Sequence, residues 1–128
     1  MTKHPKQQRI LCVIHSTSNR KTLPLALQSA QYEVFLALTA EQAVAFCMGN
    51  LFAAVVLDSE FLSEAGWSVA QTFKGLYPRL PIVLFLEDHH RAEIPQAVDA
   101  IANTATTMLH ELGRLLENPF QTVTVWPS

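Results

Sequence analysis

The chain has 128 residues, 49% of them hydrophobic and only 16% charged, with a net charge of −2 and a pI near 6.2. That length suits one domain able to bury a core without disulfide or metal staples, and that composition excludes a disordered chain. Lys and Arg are scattered, leaving no basic footprint for nucleic acid, and no apolar run approaches a membrane span or a signal peptide, so a cytoplasmic protein is expected. Cys12 and Cys47 lie in apolar stretches without CxxC or zinc-finger spacing and are expected as buried core thiols.

Ile10 to Ile14 reads as a first buried strand. Ser16 to Asn19 offers cap chemistry for a helix whose inner face is Leu23, Ala26, Leu27 and Ala30. Pro24 fits that helix only within its first turn. Tyr32 to Leu38 gives a second strand, and Thr39 with Gln42 has capping-box spacing for a helix through Ala43, Phe46 and Cys47, closed by Gly49-Asn50. The run Phe52 to Asp58 is apolar, rich in β-branched residues and ended by one carboxylate, which marks a central strand buried on both faces.

A polar loop, Ser59 to Ala65, leads to Gly66 and a helical face of Trp67, Ala70, Phe73 and Leu76, stopped at Tyr77-Pro78. Pro81 to Leu86 is a fourth strand; Arg91 to Val98 is short and broken by Pro95; Ala100 to Ala102 is a brief fifth strand. Met108, Leu109, Leu112, Leu115 and Leu116 mark a last amphipathic helix before Asn118-Pro119. Strand and helix in alternation, with short connections, specify an α/β fold: a doubly wound five-stranded parallel sheet with helices on both faces. In such sheets chemistry sits beyond the carboxyl ends of the strands, where Asp58 stands. The tail from 118 to 128, in which Val123 and Val125 alternate with threonines before Trp126, is left as an edge strand, a clasp, a partner anchor or the start of a linker.

The order of elements, a strand ending in Asp58 and a glycine eight positions later at Gly66 together resemble the response-regulator receiver domain of two-component (phosphorelay) signalling, over residues 9–117. The resemblance implies a flavodoxin-like three-layer sandwich in which Asp58 corresponds to the phosphoacceptor. It also implies an acidic pair for Mg²⁺ after the first strand, a Ser or Thr after the fourth and a Lys after the fifth. Here Ile14 and His15, Leu86, and Asn103 occupy those positions. No Asp or Glu precedes Glu33, no Ser or Thr lies between Thr72 and Thr104, and no Lys follows Lys74.

Phosphoryl transfer to a carboxylate needs compensation of the added negative charge, and loss of one preorganised donor costs on the order of 10²–10³ in rate. The expectation is therefore a phosphorylation-deficient pseudo-receiver, without a cofactor or catalytic residues, acting through a protein partner or a second copy of itself. Ala100, where the family usually has an aromatic switch residue, adds to that expectation. The alternative is a ligand- or metal-sensing module at the strand ends, with His15, Asp58, Asp88, His89 and His90, beside Glu87, as candidate ligands for a transition metal. An enzyme is not expected, because no nucleophile and base pair or phosphate loop is present.

Overall fold

A computed structural model describes residues 7–58, 69–86 and 97–116. Five strands, β1 (Arg9–Val13), β2 (Glu33–Ala37), β3 (Ala54–Asp58), β4 (Ile82–Phe85) and β5 (Ala100–Ala102), form one sheet in the order β2-β1-β3-β4-β5. Every pairing is parallel. Four helices accompany them: α1 (Thr17–Ser29), α2 (Ala40–Gly49), α3 (Val69–Leu76) and α4 (Ala105–Leu116). The doubly wound architecture expected from the strand patterns is the one observed.

Alternate strand residues feed two cores, which is why the strands are apolar throughout rather than every second position. Ile10, Cys12, Ile14, Val56 and Val83 pack with Leu23 and Leu27 of α1 and Met108 and Leu112 of α4. Leu11, Val13, Val55, Leu57 and Leu84 pack on the other face with Ala43 of α2 and Ala70 and Phe73 of α3. All strand residues of β3 and β4 are buried, so these two strands form the centre of the molecule.

Local chemistry sets the helix ends. Ser16 caps α1, its Oγ accepting from the Asn19 amide at 3.3 Å. The end of α1 closes with the paired bonds of a Schellman turn, from Tyr32 N–H to the Leu27 carbonyl and from Gln31 N–H to the Gln28 carbonyl. That turn places Gln31 at φ 75°, where glycine is usual. Thr39 caps α2 as its spacing predicts, accepting from the Gln42 amide at 3.1 Å, while the Gln42 side chain reaches past the cap to the Leu38 amide at 2.7 Å.

Several expectations need correction. Pro24 is the eighth residue of α1, not in its first turn, and the helix continues through it. A proline there removes one backbone bond, and burial of Leu23 and Leu27 on either side holds the helix across the gap. Ala30 is exposed because α1 ends before it, and Asn19 takes the inner stripe in its place, four residues ahead of Leu23. Cys47 is only partly buried, and Leu76 is 54% exposed, because the last turns of α2 and α3 extend beyond the sheet they cover.

The loop from Ser59 to Ala65, Gly66 and Trp67, the cluster Glu87 to His90, the segment around Pro95 and the tail 118–128 lie outside the described residues. Among the described residues no helix is long and apolar enough to cross a membrane.

Candidate functional site

The carboxyl ends of β1, β3, β4 and β5 gather the positions singled out in the sequence. Asp58 is the last residue of β3, in register with Phe85 of β4, and is only 2% exposed. Its Oδ2 accepts from the Ser16 backbone N–H at 2.8 Å. Ser16 is also the cap of α1, so Asp58 meets that helix at its positive end, where a carboxylate is favoured. The bond joins the top of β3 to the turn between β1 and α1, across 42 residues of sequence.

The neighbouring positions differ sharply from one another. Ile14 is fully buried in the α1–α4 core, and its amide donates to the Ala37 carbonyl at 3.1 Å, which extends the β1–β2 ladder. His15, next in the chain, is exposed and does have an interaction partner. Leu86, one residue past β4, is half-buried, and its amide donates to the Ala102 carbonyl at 2.8 Å. Asn103 is exposed and belongs to the start of α4: its amide donates to Thr107 Oγ1 at 3.2 Å, and that hydroxyl returns a bond to Asn103 Oδ1 at 3.4 Å.

These residues do not fit Mg²⁺, a hard cation that takes near-octahedral oxygen ligands. Ile14 offers a buried alkyl group and His15 a ring nitrogen, so the two positions after β1 add no carboxylate to that of Asp58. No group of three or more His, Cys, Asp or Glu able to hold a metal occurs among the described residues, and Asp88, His89 and His90 fall outside them.

The chain's one lysine beyond α1 lies at the opposite edge. Lys74 Nζ donates to Asp99 Oδ2 at 2.8 Å and to the Leu80 carbonyl at 2.8 Å. The same Asp99 oxygen accepts from the Ile82 amide at 2.7 Å, at the start of β4. Ile82 is three residues before Phe85, so this cluster stands roughly 10 Å along the strand from the level of Asp58.

Sequence reasoning placed Asp58 correctly but missed its bond with Ser16, because the donor is a backbone N–H and carries no side-chain signature. It also missed Asn19, which is only 4% exposed. Its spacing from Leu23 and Leu27 was the available signal.

Comparison with solved structures finds the same fold in receiver domains. The response regulator TrrA of Thermotoga maritima in complex with Mg²⁺-BeF is 24% identical, with a TM-score of 0.75 over 86% of this chain and 100% of that one. The receiver domain of a Pseudomonas aeruginosa sensor histidine kinase, with magnesium in its active-site cleft, is 20% identical, with a TM-score of 0.75 over 88% and 100%. TrrA in its complex with the histidine kinase ThkA is 24% identical, with a TM-score of 0.73 over 86% and 99%. No family model matches the chain, and no curated protein matches it. The chain therefore has the fold of a response-regulator receiver domain, which at these identities is what the likeness establishes.

Proposed function

We propose that this chain is a receiver-type signalling module in which Asp58 has become a structural residue, and that it acts by protein contact instead of by accepting a phosphoryl group. The observation that carries the reading is the seating of Asp58: buried, bonded to the Ser16 amide, and in register with Phe85 of β4. An acyl phosphate at this position would add negative charge, and no Lys follows β5 to compensate it, since the last lysine in the chain, Lys74, is engaged with Asp99. The absence of Asp and Glu before Glu33 supports the same reading, as it leaves no acidic pair after β1 to recruit Mg²⁺.

A protein partner fits this reading. The neighbour TrrA has been seen in complex with a histidine kinase, and a module that retains the fold retains surfaces suited to such contacts. Without the hydroxyl and aromatic residue that couple phosphorylation to shape, the binding surface is constitutive. No chemical step is assigned to the module.

Intact mass after incubation with Mg²⁺ and acetyl phosphate tests the reading. No adduct is expected on the folded protein. An adduct of phosphoryl mass that is lost in Asp58→Asn would overturn it.

A further inference from the structure

Helix α2 carries more apolar surface than the sheet covers. Its sequence, Ala-Glu-Gln-Ala-Val-Ala-Phe-Cys-Met-Gly, holds a single charge at Glu41, and Ala43 alone is fully buried. Helical spacing puts Glu41, Ala45, Met48 and Gly49 on the side away from Ala43, and all four are exposed, Met48 at 79%. Leu51, 89% exposed, continues this surface past the end of the helix. A helix with its outer side facing water is normally polar there, so an apolar outer side marks a contact surface.

The two ends of this face carry opposite charge. Glu41 stands in the first turn of α2. At the far end Arg9 reaches the residue that closes the helix, its Nη1 donating to Asn50 Oδ1 at 3.3 Å and its Nε to Glu33 Oε1 at 3.1 Å. Its Nη2 has no hydrogen-bond partner among the described residues. Arg9, Met48, Gly49 and Leu51 together line an open groove of about 790 Å³.

We propose that a second copy of the chain covers this face, the two α2 helices packing antiparallel about a twofold axis at Ala45, with Glu41 of each copy in the groove beside the partner subunit's Arg9. The register follows from the spacing of the charges. Glu41 and Asn50 are nine positions apart, about 13.5 Å along a helix, and Ala45 lies midway. A twofold axis there sets the acidic end of each copy against the basic end of the other, the self-complementarity that an isologous interface requires. It also opposes the two helix dipoles. An acidic or a basic peptide would match one end of the face and leave the other unpaired. This occupant names a partner for the reading of the chain as a contact module, yet it rests on α2 and not on Asp58.

Sedimentation velocity of the full chain from micromolar to millimolar concentration tests the proposal. A reversible dimer is expected, weakened about tenfold by Glu41→Lys, which sets like charges together. Gly49→Arg should abolish it. A Cβ at Gly49 meets nothing within 4 Å in the monomer, so the Tm of that variant at micromolar concentration should match the parent. In a Cys47→Ser background, Ala45→Cys should give a disulfide-linked dimer on mild oxidation, and Leu25→Cys, at an exposed position of α1, should not. A chain that stays monomeric would overturn the proposal, as would a dimer indifferent to both Gly49→Arg and Glu41→Lys, or cross-linking through Leu25→Cys in place of Ala45→Cys. Acetyl phosphate reports on Asp58 and sedimentation on α2, so failure of either reading is distinguishable from failure of the other.

Discussion

Each end of the sheet holds a carboxylate that accepts from a backbone amide, and the two are furnished differently. At the amino end Asp99 accepts from a backbone amide and from the Lys74 ammonium, closing a cluster that ties α3 to the starts of β4 and β5. At the carboxyl end Asp58 accepts from the amide of a helix cap. Holding one carboxylate in place needs only such donors. Stabilising a phosphoryl group on it needs cations as well, and the nearest lysine in the sequence stands at the other end. The comparison sets an ion pair that ties α3 to the sheet at the amino end against a carboxylate seated on a helix-cap amide at the carboxyl end.

Breaking the amino end should cost most. Asp99→Ala removes the acceptor from both Lys74 and the Ile82 amide and should destabilise by about 2–3 kcal/mol in urea unfolding, discounted for the partial exposure of the pair. Asp58→Ala should cost less, about 1–2 kcal/mol, as it leaves the Ser16 amide without its acceptor. A larger loss for Asp58 than for Asp99 would reverse the ranking of the two ends.

Cys12, mid-strand in β1 between the two edges, supplies a control. Burial pushes its thiol from 9.0 up to about 12. The unfolded chain releases that proton near 9.0 while the folded one keeps it, so the folded state binds more protons in this window and stability falls as pH rises. The loss should approach about 1.4 kcal/mol per pH unit between 9.0 and about 12. Tyr32, also raised by burial, adds a loss of the same sign above its ordinary value. Cys12→Val should flatten the alkaline limb, and the slope should be unchanged in the Asp58 and Asp99 variants, since distant sites add. The smallest effect is predicted for Asp58→Asn, within about 0.5 kcal/mol of the parent, because its amide oxygen still accepts from Ser16. A loss as large as that of Asp58→Ala would mean that charge, and not hydrogen bonding, holds this edge.

The strands were legible because burial on both faces writes itself into unbroken apolar runs such as Ala54 to Leu57. Both early caps were legible because Ser16 and Thr39 act over three residues. Pro24 misled the reading because its penalty is local, whereas the packing of Leu23 and Leu27 that overrides it is tertiary. Leu76 kept helical spacing but ran past the sheet, and periodicity does not report where a helix loses its neighbour. At the site, side-chain identities at Ile14, His15, Leu86 and Asn103 could be read directly. The Ser16 to Asp58 bond could not, nor could the pairing of Lys74 with Asp99 across 25 residues, because both depend on how crossover connections bring distant segments together.

The most direct test of Asp58 as a structural residue is a titration with Mg²⁺ and beryllofluoride, followed through the Ser16 amide in ¹H–¹⁵N spectra. Beryllofluoride with Mg²⁺ is the combination bound in the TrrA structure. The account predicts that the Ser16 resonance stays in place at millimolar ligand, because Asp58 remains seated on that amide. A saturable shift of Ser16, absent in Asp58→Asn, would show a site able to hold a phosphoryl group and would contradict the account.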